Sequence, residues 1–213
     1  MRPVFISVDV EVTDTDPVHG RLMQVGMVSD SGEALNYLFP VKNTAKTSEW
    51  VAENLPGLLK SCWQKQFGTK HLPRVHRLEQ GGSPPGTVNA MFYTQVRDMH
   101  DWVMHQRYVA TPDRDRGILG RIPPAVMVCY CGGLDFGFTT RAFAHCGMES
   151  PFHYEFVEIS SLAMGKLNLP WGFTGTELED ALGIPPMEEG TKHDALADAL
   201  HQLKIFNKLM EIP

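Results

Sequence analysis

The sequence predicts an α/β fold with one mixed central sheet. Three observations carry that prediction. Three stretches rich in β-branched and apolar residues fall within the first forty positions. A short continuous apolar run returns at 125–131, between stretches of helical spacing. A last helical pattern closes the chain. A meander of strands followed by helices interleaved with further strands is the order of an α/β domain whose sheet is mixed.

Residues 4–10 form the first predicted strand, and a polar turn follows at 13–20. Residues 21–28 are the second strand, 29–32 a turn by composition, and 35–39 a third strand stopped by Pro40. Thr47, Ser48 and Glu49 open a helical stretch with Trp50, Val51, Leu55, Leu58 and Leu59 at helical spacing, interrupted at Pro56. Residues 64–86 are poor in apolar side chains and end in Gly81-Gly82-Ser83-Pro84-Pro85-Gly86, so they read as a loop or insertion. Val88, Met91, Phe92, Val96, Met99, Trp102 and Val103 make one apolar stripe over 87–108, which reads as core.

After a polar loop at 111–121, residues 125–131 are bounded by Pro124 and Gly132-Gly133, as a buried central strand would be. A helix with Phe136, Phe138, Ala142 and Phe143 runs to near Gly147. A short strand at 156–159 and short helices around Leu162 and over 178–182 come next. The last helix, about 194–210, is expected to bury Leu196, Leu200, Leu203, Phe206 and Met210. The expected organisation is a single domain over 1–213, with an insertion at about 64–121 whose structure the pattern does not predict.

A chain of 213 residues, 43% hydrophobic, is long enough to bury one core. It has no apolar run of membrane-spanning length, so no membrane contact is expected. Residues 1–6 enter the first strand without an apolar leader, which makes a cytoplasmic protein the expectation. The four cysteines Cys62, Cys129, Cys131 and Cys146 have no C-x-x-C or framework spacing and read as reduced thiols. Cys129 and Cys131, two apart in a predicted strand, are expected on one face. The formal net charge of −6 disfavours a general nucleic-acid-coating protein, but suits an enzyme that meets only a few phosphates at a strand end.

The chemistry-bearing residues are carboxylates. Asp9 and Glu11 lie two apart on the first strand and so project from one face, among the apolar Val8, Val10 and Val12. Two like charges on a core strand repel and cost desolvation energy, and a cation between them removes that cost. The alternative is a solvated edge strand. Asp135 follows the buried strand after a Gly-Gly break, where it either serves the helix start or faces the same site. His193 and Asp198 bracket the start of the last helix; Asp194 reads as its N-cap, and Ala195, Ala197 and Ala199 let that helix approach the sheet. Separately, Asp198 would be a solvated helix face and His193 a surface loop.

Together, Asp-x-Glu on the first strand, Asp at a strand-to-helix junction and His-x-x-x-x-Asp at the last helix resemble the DEDDh-type 3′→5′ exonucleases, DnaQ-like members of the ribonuclease H-like superfamily. The stretch Lys192-His193-Asp194-Ala195-Leu196-Ala197-Asp198-Ala199 is the most specific part of the match. The resemblance covers nearly the whole chain in element order, apart from the insertion. Two positions depart from the family pattern: Val12-Thr13-Asp14 stands where Thr-Thr-Gly is common, and Cys131 stands where Asn is common. Asp, rather than Tyr, at position 194 disfavours the tyrosine variant.

The resemblance implies a ribonuclease H-like mixed sheet flanked by helices and a two-metal hydrolysis of phosphodiesters. It implies that Asp9, Glu11, Asp135 and Asp198 hold two Mg²⁺ or Mn²⁺ ions, with Asp9 bridging them, and that His193 is the general base. The backbone around Val12 and Thr13, with His193, would receive the terminal nucleotide. The expected substrates are DNA or RNA 3′ ends, single-stranded, yielding nucleoside 5′-monophosphates; some small relatives are homodimers. The same site would serve a phosphodiesterase for dinucleotides or short signalling oligonucleotides, and a non-cutting end-binding module or a metal-stabilised interaction module are further alternatives.

Weaker candidates surround these. Arg141, Lys166 and Lys192 are possible phosphate contacts, with solvated charge the commoner reading. Trp50, Trp63, Trp102 and Trp171 could stack on bases, and core packing is preferred for Trp50 and Trp102. His71, His76, His100 and His105 lack the spacing of a helical zinc site.

Overall fold

The computed structural model describes residues 2–16, 19–41, 45–67, 90–116, 118, 121–188 and 191–213. Residues 64–67, read as the start of a loop, continue a helix that runs to Phe67; the rest of that reading, 68–86, lies outside the described residues, as do His71, His76 and the Trp63 side chain. The strands are β1 (Val4–Val12), β2 (Leu22–Ser29), β3 (Ala34–Leu38), β4 (Ala125–Cys129) and β5 (Val157–Glu158). The helices are α1 (Glu49–Asn54), α2 (Pro56–Phe67), α3 (Ala90–Val109), α4 (Gly132–His145), α5 (Ile159–Leu167), α6 (Gly175–Leu182) and α7 (Ala195–Glu211). A 3₁₀ turn at Asp113–Asp115 precedes β4.

The sheet order is β3-β2-β1-β4-β5. β1 pairs antiparallel with β2, and β2 with β3; β1 and β4 are parallel, as are β4 and β5. This is the mixed sheet flanked by helices that the sequence predicts, with β1 at its centre.

The alternation along β1 divides the molecule. Val4, Ile6, Val8, Val10 and Val12 join one core with Val96, Met99 and Val103 of α3 and Phe138, Ala142 and Phe143 of α4. The opposite face carries Phe5, Ser7, Asp9 and Glu11 and is covered by α7: the Phe5 and Phe206 rings lie 4.9 Å apart. Ala199, Leu203, Ile205, Phe206 and Leu209 of α7 build the second core with Ile159, Ala163 and Leu178. A third, smaller core joins Met23 and Val41 to Val51, Leu55, Leu59 and Cys62 of α1 and α2.

Helix boundaries follow local chemistry. Ser48 caps α1 by accepting from Val51 N, and Pro56 is the first residue of α2, where its missing N–H costs nothing. Thr174 and Glu177 form a reciprocal capping box on α6. Asp194 caps α7 through Leu196 N and Ala197 N.

Three further expectations need correction. On α7, Leu203 and Phe206 are buried as expected and Leu196 packs partly buried, but the rest of the buried face is Ala195, Ala199, Gln202, Ile205 and Leu209, while Leu200 and Met210 are 41% and 53% exposed. The helix starts close to the sheet, with α7 coming down on β2 at Gly26. A Cβ there would lie 2.1 Å from the Ala195 carbonyl oxygen. Secondly, β4 ends at Cys129, and Cys131 is the N-cap of α4; it is exposed, whereas Cys129 is fully buried, so the two do not share a strand face. Thirdly, Trp50 is 50% exposed rather than core. Trp102 does pack partly buried against the main core, and Trp171 is exposed.

Candidate active site

Five side chains from three separate parts of the chain converge where β1, the start of α4 and the start of α7 meet. Asp9 and Glu11 come from β1, Asp135 from the first turn of α4, and His193 and Asp198 from the entry and first turn of α7. All five border one cleft of about 710 Å³. The alternation of β1 turns Asp9 and Glu11 toward α7, and beyond them a bulge between Glu11 and Val12 shifts the pairing with β2.

Hydrogen bonds hold three of the four carboxylates in place. Gln202 Nε2 donates to Asp9 Oδ1 at 2.6 Å. Asp135 is buried and accepts from Val10 N and Cys131 N, both at 3.2 Å, so it ties the start of α4 to β1. Asp198 Oδ2 accepts from the His193 backbone N at 2.8 Å. Gln24, opposite Glu11 on β2, donates to Asp194 Oδ2 at 3.2 Å and anchors the cap of α7 to the sheet.

His193 has φ +64°, a left-handed conformation that costs a non-glycine residue on the order of 1 kcal/mol. The bond from its N–H to Asp198 compensates, and the turn aims the ring into the cleft. Its Nδ1 lies 3.6 Å from Glu11 Oε1, and the ring meets Trp50 edge-on with centroids 5.2 Å apart.

The electrostatics are those of crowded anions. Burial raises Asp9 well above the usual carboxylate range, and the charges of Asp135, Asp198 and Glu11 raise it further, against the Gln202 hydrogen bond. Burial, then Asp198, Asp135 and Asp194, push Glu11 up to about 8. Burial also raises Asp135, opposed by its two backbone donors, and raises Asp198, opposed by the His193 N–H. Four carboxyls that all resist ionisation are a site short of positive charge.

The donor set fits a hard divalent cation. Ligand atoms of Glu11, His193 and Asp198 lie within 4.8 Å of one another, and carboxylate oxygens with few soft donors suit Mg²⁺ or Mn²⁺. Asp9 and Asp135 border the same space.

Of the expected nucleotide contacts, Val12 borders the cleft. Thr13 is buried behind it: its N donates to Arg21 O, its carbonyl accepts from Ser48 N, and its Oγ1 accepts from Arg21 N. Lys192 is exposed and borders the cleft. Lys166 is turned elsewhere, its Nζ donating to Ile212 O at 2.6 Å, and Arg141 lies exposed on α4. Three further cleft residues, Gln202, His201 and Glu179, were not singled out by sequence reasoning. Gln202 lies to the side of the stripe the sequence marks on the last helix, so its burial carried no local signal. The pair His201 Nε2 and Glu179 Oε1, 2.7 Å apart between α7 and α6, carried none.

No protein-family model matches the chain, and no curated protein does. Solved structures do match its fold. The nuclease domain of 3′hExo, a DEDDh family member bound to rAMP, superposes with a TM-score of 0.63 at 13% identity, covering 98% of this chain and 92% of that one. A full-length 3′-exonuclease gives 0.60 at 11% identity, covering 98% and 81%. The zinc-bound E. coli ExoI–ssDNA complex gives 0.56 at 15% identity, covering 99% of this chain and 41% of that one, so the chain spans about two-fifths of ExoI. The chain has the fold of DEDDh exonuclease domains.

Proposed function

We propose that this chain is a metal-dependent 3′→5′ exonuclease that releases nucleoside 5′-monophosphates from DNA or RNA 3′ ends. One observation carries the reading: Asp9, Glu11, Asp135, Asp198 and His193, spread from one end of the chain to the other, meet at a single cleft. On the 3.6-residue and two-residue periodicities alone they need not have met.

Asp9, Glu11, Asp135 and Asp198 would hold two divalent ions. When bound, these supply charge stabilisation at the scissile phosphate and activation of the attacking water. The remaining work belongs to the chain. The His193 ring stands at the mouth of the cleft and accepts the proton of the attacking water at an imidazole nitrogen. Its edge contact with Trp50 restricts how the ring turns, and its backbone bond to Asp198 fixes the ring's distance from the carboxylates. Val12 and the exposed face of Trp50 border the space for the terminal nucleotide, and Lys192 stands where it can meet a phosphate.

The test is a time course on 5′-labelled single-stranded DNA and RNA and on dinucleotides, with Mg²⁺, Mn²⁺ or EDTA, for wild type and His193→Ala. A ladder shortening from the 3′ end, abolished by EDTA and slowed about 10²–10⁴-fold in the variant, is expected. Cleavage confined to dinucleotides would reassign the substrate, and binding without cleavage would replace the enzyme with an end-binding module.

A further inference from the structure

We infer that Gln202 is a positioning residue for Asp9, holding one carboxylate oxygen so that the other is presented to the cation; the inference rests on the metal-site reading above. The geometry on the page is specific. Gln202 is 5% exposed and sits on the face of α7 that meets β1. Its Nε2 donates to Asp9 Oδ1 at 2.6 Å, a short bond for an amide donor.

The other half of the amide is the unusual part. Among the described residues, Gln202 Oε1 is buried without a hydrogen-bond partner. So is Ser7 Oγ, which shares the α7-facing side of β1 with Phe5 and Asp9. A buried acceptor left unsatisfied lowers stability, and a leucine or methionine of similar length would remove that cost. Neighbouring α7 positions that face the same cores are Ala199, Leu203, Ile205 and Phe206. Packing alone therefore favours an apolar side chain at 202. The amide is explained by what its N–H does: it occupies Oδ1 and restricts rotation of a carboxylate that shares its cleft with three others.

This separates two roles that usually move together. A residue that merely packs loses stability when replaced. A residue that positions Asp9 loses metal affinity while the fold stays near its wild-type stability, because removing the orphaned Oε1 offsets the donor lost to Asp9 Oδ1. The experiment measures Mn²⁺ affinity by the EPR signal of free Mn²⁺, and the melting temperature in EDTA, for wild type, Gln202→Met and Gln202→Leu.

The expected result is a Mn²⁺ affinity reduced about 10–100-fold in both variants, the usual consequence of removing a partner of a metal-ligating group. The melting temperature in EDTA should stay within about 4 °C of wild type. Wild-type Mn²⁺ affinity in a folded variant overturns the inference. So does a lowered affinity accompanied in both by a melting temperature lower by more than about 4 °C, because that is the mark of packing. If one variant fails to fold, the other decides, and failure of both is the packing result. Absence of Mn²⁺ binding by wild type is a different failure: it removes the metal site itself, and the role of Gln202 with it.

Discussion

Glu11 shows how one residue links folding to function. Its carboxyl is pushed up to about 8 from the usual 4.5 by burial and by the Asp198, Asp135 and Asp194 charges. Below about pH 4.5 that group is protonated in both folded and unfolded chains. Between there and about 8 the unfolded chain has released a proton that the folded chain keeps, so stability falls as pH rises. Asp9, Asp135 and Asp198, all raised, act in the same direction. The melting temperature in EDTA should therefore decline from pH 5 to pH 8, and Mn²⁺ should flatten the decline; a melting temperature that climbs over that range contradicts the charge-crowded site. Glu11→Gln should raise the melting temperature in EDTA at pH 8 by about 2–4 °C, the effect of ~1 kcal/mol in a domain of this size. The same variant should lose the metal-dependent cleavage.

At the scale of elements, the start of α7 is held to the sheet by close approach, and its later turns by large side chains. Gly26 lies opposite Asp9 on β2 and receives the Ala195 carbonyl. Gly26→Ala should lift the start of α7 and separate His193 and Asp198 from Glu11, costing about 1–3 kcal/mol and weakening Mn²⁺ binding. Leu200→Ala, on the outer side of the same helix, should change stability by less than about 0.5 kcal/mol. Thermal unfolding of the two variants, with a Mn²⁺ titration of Gly26→Ala, checks both. The sequence carried α7 as a helix but not its orientation. The expected stripe finds Leu203 and Phe206, but the buried face is turned toward Ala195, Ala199 and Gln202, where α7 meets Gly26 of β2, a pairing no local pattern contains. Cys131 was misplaced for a related reason. The apolar run continues to it, but its neighbour Gly132 is already helical, with Asp135 reaching back to the Cys131 N–H.

Across the whole molecule, β1 was the most legible part. Its valines and isoleucine mark one face and its carboxylates the other, and that alternation survives intact in two cores on opposite sides of the sheet. What alternation cannot supply is which distant residues arrive beside Asp9 and Glu11. The parallel pairing of β1 with β4 brings Asp135, and the return of α7 across the sheet brings Asp198 and His193. The pattern of residue types identified those partners by resemblance; the topology supplies the physical reason. Trp50 escaped because a large aromatic usually signals core, whereas here it stands in the first turn of α1 against His193.

The measurement that tests the central claim most directly compares a linear single strand, labelled in its 3′-terminal nucleotide, with a closed circle of the same sequence. With Mn²⁺, the linear strand should release its label first, as a nucleoside 5′-monophosphate, while the circle stays intact. Cutting of the circle, release of the label only within longer fragments, or equal release in EDTA would contradict a metal-dependent enzyme acting from the 3′ end.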